Sequence, residues 1–324
     1  MGKSRNLVVN SYDYPQYYDI AFQGYTQQEA DFIEAACRKY CLFDARRLLE
    51  PACGTGRLIT ELAARGYQVT GFDISQPALR YLRRRLARRR LHAETFKAEM
   101  SDFRLSRPVD AAYSTINTFG HLLTEQAARG HLECISESLR PGGIYVLALY
   151  LLPPDEHEED VWCWTAQRRE TQVTVTLRAL STDLGRRIAD LRACLLVRGR
   201  SQEFRLQHEF QLRTYTARQF RGLLGSVPSL EVCDIYDFRY DIKQPFALNN
   251  EMAYSVFVLR RRLSWQLNHL KSGLTLGKED SQHLVHACIY TAETDPTDPD
   301  TDTTTTAAAA TGLNSRASTS LALN

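Results

Sequence analysis

The sequence lacks long hydrophobic runs: nowhere do about eighteen uncharged apolar residues follow one another, the length a helix needs to cross a bilayer. The first ten residues include basic positions but no apolar stretch of the kind a secretory leader carries, so a cytoplasmic protein is expected. Paired cysteines are missing too. The 8 cysteines stand singly, without a Cys-x-x-Cys pair or a histidine-rich partner segment, which excludes the common zinc frameworks, and no metal is expected. Cys37 and Cys41 have helical spacing, and small buried hydrophobes account for them. Charge of one sign is also absent. Against 40 basic residues stand 38 acidic ones, a formal net charge of +2, so no overall field marks a nucleic-acid or membrane binder.

What is present is alternation. Residues 29–40 place Phe32, Ile33, Ala36 and Cys37 at helical period and predict a helix over one edge of a sheet. Residues 47–50, 67–72, 92–98, 109–114 and 143–151 read as strands, and 57–64, 76–90 and 124–139 as intervening helices. Ser75 is placed to cap the second of these, with Pro77 in its first turn. Pro141-Gly142-Gly143 is expected to separate the last helix from the last strand. The fold class is therefore α/β: a Rossmann-like, doubly wound, mostly parallel sheet.

After Pro153-Pro154 and an acidic stretch at 155–160, helices vanish and strand-like runs follow at 171–180, 188–197 and 203–214. An inserted antiparallel meander over about 159–215 is predicted. In its third run Phe204, Leu206, His208, Phe210 and Leu212 share one face, with polar residues on the other. A helix at 216–224, capped by Thr216, and strands at 230–236 and 253–259 complete the sheet. The main domain is expected to span 1–262. Residues 263–324 form a C-terminal extension, largely disordered from about 291, where Thr, Asp, Ala and Ser dominate.

The chemistry centres on Glu50-Pro51-Ala52-Cys53-Gly54-Thr55-Gly56, a glycine turn between the first expected strand and helix. Such a turn offers backbone N–H groups and a helix N-terminus to a ligand. A dinucleotide fingerprint starting at Gly54 needs a third glycine at position 59, and Ile59 stands there. Glu50 would repel a pyrophosphate but attract a cation. Asp73, beside Ile74, ends the second strand, where a carboxylate can accept ribose hydroxyls. Glu99 and Met100 follow the third strand, and Thr115 the fourth. Three acids at three successive strand ends lie where an open α/β sheet binds its ligand.

At these residues the chain resembles class I S-adenosylmethionine-dependent methyltransferases over roughly residues 17–262. The resemblance implies that S-adenosyl-L-methionine is the cofactor. Glu50, Ala52, Cys53, Gly54 and Gly56 would hold its methionyl part, Asp73 and Ile74 its ribose, and Glu99 and Met100 its adenine, with Thr115 a further cofactor-binding residue. Ala52 and Glu99 depart from the commoner glycine and aspartate.

On the acceptor side, Thr118-Phe119-Gly120-His121-Leu122 resembles the Gly-His segment of small-molecule N-methyltransferases acting on nucleotide-linked amino sugars. There the histidine lies beside the transferred methyl, which makes His121 the candidate base. Tyr18, in Pro15-Gln16-Tyr17-Tyr18-Asp19, is placed like the tyrosine that lines their active site. The inserted sheet resembles one that covers their active site and makes dimer contacts, so a homodimer is a possible assembly. His208 reads as a satisfied core histidine, while Arg213, Trp162 and Trp164 are weaker acceptor candidates. Arginines at 80, 83, 84, 85, 88, 89 and 90 read as a solvated helix face. An RNA methyltransferase is the rival reading they keep open, although nucleic acid is not the expected partner. A cofactor-binding module without catalysis is a further rival. The expected function is in-line methyl transfer to a small-molecule acceptor, nitrogen favoured over oxygen.

Overall fold

Periodicity becomes two sheets in the computed structural model, which describes residues 5–8, 11–152, 161–200, 202–249 and 252–264. The chain divides into two units, Met1–Thr275 and Leu276–Asn324, and every described residue belongs to the first. The Pro-Pro break, the acidic stretch and the extension beyond residue 264 lie outside the described residues.

In chain order the elements are β1 (Arg5–Val8), α1 (Pro15–Phe22), α2 (Thr26–Tyr40), β2 (Arg47–Pro51), α3 (Arg57–Ala64), β3 (Gln68–Asp73), α4 (Gln76–Arg89), β4 (Glu94–Lys97) and β5 (Val109–Ser114). There follow α5 (Glu125–Ser138), β6 (Leu139–Tyr150), β7 (Val161–Arg168), β8 (Thr171–Asp183), β9 (Ile188–Arg198), β10 (Glu203–Arg213), α6 (Ala217–Gly225), β11 (Leu230–Tyr236) and β12 (Tyr254–Arg261).

The larger sheet has the order β11-β12-β6-β5-β2-β3-β4, with β2 to β6 parallel and β12 antiparallel to both its neighbours. Helices cover both faces. Ala30, Leu58 and Leu79, from α2, α3 and α4, pack with Leu48 and Val146 on one side. Leu132 and Phe220, from α5 and α6, pack with Leu49 and Leu147 on the other. Chain order reverses between β2 and β5, and at such a switch the outward helices leave a crevice at the carboxyl ends of the strands. Side-chain caps fix where the helices begin: Ser75, Thr124 and Thr216 each accept from a backbone N–H of the first turn, worth about 1 kcal/mol apiece.

Three expectations are corrected. The helix expected at one edge begins at Thr26 and packs on a face, because Ala30 and Ala36 are small enough to approach the sheet closely and Phe32, Ile33 and Cys37 bury beside them. Pro141-Gly142-Gly143 lies inside β6: pairing with β5 starts at Leu139, and the register jumps from Val109↔Leu139 to Ala111↔Ile144. The break is thus a bulge, since nothing requires the strand to wait for the glycines once Leu139 turns extended. Finally, the inserted sheet has five strands, not three, in the order β1-β10-β9-β8-β7. β1 is too short to show a period, and it pairs parallel with β10 through Arg5↔Phe204 to Val8↔Gln207. In β7 the alternation of Trp162 and Trp164 with exposed Val161 and Cys163 is a strand pattern that the sequence reading passed over.

Candidate active site

The carboxyl ends of the parallel strands and the inner face of the second sheet enclose a cavity of about 1570 Å³. Sites for drug-sized ligands run to about 1,000 Å³, so there is room for two molecules side by side. Among the described residues no helix is long and apolar enough to cross a membrane, and no group of three or more His, Cys, Asp or Glu could hold a metal ion.

The glycine turn forms one wall. Ala52, Gly54 and Gly56 all take positive φ, at 49°, 51° and 65°. A left-handed conformation costs an L-residue about 1–2 kcal/mol, so Ala52 is strained where glycine would not be. Gly56 has a second constraint, because a Cβ there would sit 2.1 Å from Leu82 Cδ1 of α4. At Gly54 a Cβ would meet nothing within 4 Å, since that position faces the open cavity.

Asp73 holds this turn shut. One carboxylate oxygen accepts the Gly54 N–H at 2.7 Å, and the other accepts the Ser75 N–H at 2.7 Å. Each oxygen keeps a lone pair for a ligand hydroxyl. Burial raises the Asp73 pKa, while the Ser75 and Gly54 N–H groups pull it back. Beside it Ile74 exposes its side chain, 56% accessible, to the same cavity and offers an apolar platform for a ring.

Glu99 and Met100 supply the next stretch of wall. Their loop is held from behind by His131 of α5, which sequence reasoning missed. This fully buried histidine places Nδ1 2.9 Å from the Met100 carbonyl and Nε2 2.9 Å from the Tyr145 hydroxyl. Burial lowers its pKa to about 4, with the Met100 carbonyl opposing. A neutral ring therefore donates at Nδ1 and accepts at Nε2.

Glu50, Cys53, Gly56 and Thr115 lie behind the wall, while Ala52, Gly54, Asp73, Ile74, Glu99 and Met100 form it. Glu50 is 8% exposed, its Oε2 has no hydrogen-bond partner among the described residues, and burial raises its pKa to about 8, against the pull of Arg57. Thr115 joins a buried trio: it accepts from Arg57 Nη2 at 3.0 Å, and both groups reach the Glu29 carboxylate. After Thr115, Ile116 and Asn117 take φ of 59° and 56° on the cavity wall. A β-branched residue at positive φ is an outlier, and such strain clusters at ligand sites. It turns the chain sharply toward His121.

The acceptor-side candidates converge on an aromatic group. Tyr12, unremarked in the sequence, places its hydroxyl 3.3 Å from His121 Nε2. Its ring lies 5.4 Å from that of Tyr18 and 5.3 Å from that of His208. Burial raises the Tyr18 pKa to about 12, with Arg57 opposing, and raises that of Tyr12 as well, so both phenols stay protonated at neutral pH. His121 is open to the cavity but enclosed by protein elsewhere. That enclosure, and then His208, lower its pKa and keep it neutral. His208 is not the satisfied core histidine expected: neither ring nitrogen has a hydrogen-bond partner among the described residues, and the residue lines the cavity. Trp164 donates to the Ala21 carbonyl at 2.9 Å, joining β7 to α1, and Arg213 is buried beneath the rim with Glu125 3.2 Å away.

Residues 48–143 match the family described as Methyltransferase domain. Over this segment the chain carries a methyltransferase domain. Its strand-end acids and glycine turn lie at the carboxyl ends of the parallel strands, where an open α/β sheet has its crevice. The chain is 28% identical over 145 residues to the dTDP-3-amino-3,4,6-trideoxy-alpha-D-glucopyranose N,N-dimethyltransferase of Streptomyces venezuelae, covering 44% of this chain and 59% of that one. It is 30% identical over 161 residues to the dTDP-3-amino-3,6-dideoxy-alpha-D-glucopyranose N,N-dimethyltransferase of Streptomyces fradiae, covering 48% and 61%. These two matches therefore span about 60% of the relatives' own length. In fold, the chain is similar to a crystal structure of an S-adenosylmethionine-dependent methyltransferase from Clostridium acetobutylicum, with TM-score 0.64 and 16% identity over 78% of this chain and 100% of that one.

Proposed function

We propose that the protein transfers the methyl group of S-adenosylmethionine to an amine nitrogen of a small molecule. The observation that carries this reading is the continuity of one cavity from the Asp73-pinned glycine turn to the neutral His121. The residues present fit the cofactor: Gly54 leaves space where a substituent would intrude, and Asp73 keeps lone pairs for two hydroxyls. When bound, the cofactor supplies an electrophilic methyl on a sulfonium centre.

The chain's own task is alignment, exclusion of water and removal of a proton. Tyr18 and the inserted sheet wall off the transfer point. An amine arriving protonated must lose a proton to become a nucleophile. His121 accepts it at Nε2, directly or through the Tyr12 hydroxyl beside that atom. Ile116 and Asn117 hold the approach to His121 in one geometry. The relatives' names make an amino sugar the leading acceptor class.

The RNA reading loses support from the arginine helix itself. Arg85 is turned onto Asp19 and Arg83 onto Thr95, so the row is partly committed within the protein. The test is an acceptor screen with methyl-labelled S-adenosylmethionine and mass detection. Labelled N-methyl product is expected; cofactor bound but never converted across amine, hydroxyl and RNA panels overturns the catalytic reading.

A further inference from the structure

The roof of the cavity is a ladder of apolar cross-strand pairs. Trp162 opposes Leu177, Leu177 opposes Ala193, and Ala193 opposes His208 across β7, β8, β9 and β10. One step further along, Ala179 opposes Leu191 and Leu191 opposes Phe210. At the other end of the ladder Val173 and Leu206 pack in one cluster with Ile20 and Ala21 of α1, together with Val175 and Leu195, which also reach the cavity. The roof thus divides into a half closed by a helix and a half that faces the transfer point.

Charge on the cavity wall is opposite to what a nucleotide-linked acceptor needs. Among the described residues, Lys97 and Arg213 are its only lysine or arginine, against four carboxylates at Asp13, Glu29, Asp73 and Glu99. Lys97 ends β4, two positions before Glu99, on the cofactor side. Arg213 is 7% exposed, with its two terminal nitrogens engaged by Glu125 and the Leu123 carbonyl and Nε alone without a partner among the described residues. The two cavity histidines are held neutral and add no positive charge. A diphosphate taken out of water needs guanidinium or ammonium partners, and burying it without them is strongly unfavourable.

We infer that the methyl acceptor carries its amine on an uncharged, apolar framework, received by the open half of the inserted sheet, and not on a nucleoside diphosphate. This rests on the methyl-transfer reading above and specifies its acceptor. The carrier is recognised by apolar burial under Leu177, Leu191 and Phe210. The reacting amine points down toward Tyr12 and His121.

The test compares two forms of one amine: octyl 3-amino-3-deoxyglucoside and the same amino sugar linked to thymidine diphosphate. Binding is measured by calorimetry on the full chain saturated with S-adenosylhomocysteine, at low and high salt. The octyl glycoside is expected to bind about tenfold or more tightly, with little salt dependence, and to be methylated when S-adenosylmethionine is supplied. Ala179→Lys, which adds a cation on the partly open rim of the roof, should weaken the octyl form and strengthen the diphosphate form, with its melting temperature confirming the fold. Preference for the diphosphate form in the unaltered protein, equal binding of the two, or binding of neither while S-adenosylhomocysteine still binds, overturns the inference and leaves the cofactor site standing. Failure of S-adenosylhomocysteine to bind is a different result and overturns the methyl-transfer reading itself.

Discussion

Asp19 of α1 and Arg168 of β7 form an ion pair, Nη1 to Oδ2 at 2.6 Å, that ties the N-terminal helix to the inserted sheet. The carboxylate is wholly enclosed and also receives Arg85 and Tyr81 of α4 and the Thr55 hydroxyl of the glycine turn. One side chain thus joins the roof, the first helix and the glycine turn. Removing the carboxylate leaves two guanidinium groups facing a void, and breaking a buried pair from one side costs about 3–5 kcal/mol. Asp19→Ala should lower stability by that amount in denaturant titration. Arg168→Ala should cost less, because Arg85 remains. Equal losses from the two would show that the pair acts alone and not as a junction.

Glu50 gives a pH signature. Its folded pKa, raised to about 8 by burial, exceeds the unfolded value near 4.5, so the folded state holds the proton more tightly. The stability this confers is complete below about pH 4.5 and is lost as pH rises through about 8. Glu50→Gln should flatten the decline of unfolding free energy between those limits. If the cationic part of the cofactor binds near the carboxylate, cofactor binding near pH 7 releases a proton. Calorimetry in buffers of different ionisation enthalpy detects it.

His131 has the opposite sign. Held neutral with a pKa of about 4 against an ordinary value of 6.5, it contributes stability above pH 6.5 that is lost as pH falls toward 4. His131→Phe should remove part of the acid sensitivity in that window. It should also weaken cofactor affinity more than turnover at saturation, because the Met100 carbonyl loses its anchor. An unchanged affinity would confine His131 to the core.

His121→Ala should lower turnover by about 10² or more, the usual contribution of a positioned base, with cofactor affinity unchanged. The depressed pKa places the acid limb of the rate profile below pH 6.5, and the variant should lose that limb. Tyr12→Phe separates the two proton routes: near-normal turnover means direct transfer to Nε2, and a loss matching that of His121→Ala means passage through the hydroxyl.

The parallel sheet was legible because burial on both faces writes itself into apolar runs such as residues 109–114, and because Ser75, Thr124 and Thr216 mark helix starts chemically. The strand-end acids were legible because topology puts strand ends together. What escaped depends on partners remote in sequence. His131 gains its meaning from Met100 and Tyr145, and Tyr12 from His121, 109 positions away. β1 exists because β10 offers it an edge. His208 was misread because its strand neighbours Leu206 and Phe210 look like core, while the face they share is only half covered.

The bond from Trp164 to the Ala21 carbonyl and the ion pair of Arg168 with Asp19 fasten the inserted sheet to the first helix at two points. Helix and sheet are thereby tied into one piece. Asp19 sits at the junction, because the same carboxylate grips Thr55, Tyr81 and Arg85 on the parallel-sheet side. How firmly the roof is held over the glycine turn therefore depends on how one buried aspartate divides its oxygens among Arg168, Arg85, Tyr81 and Thr55.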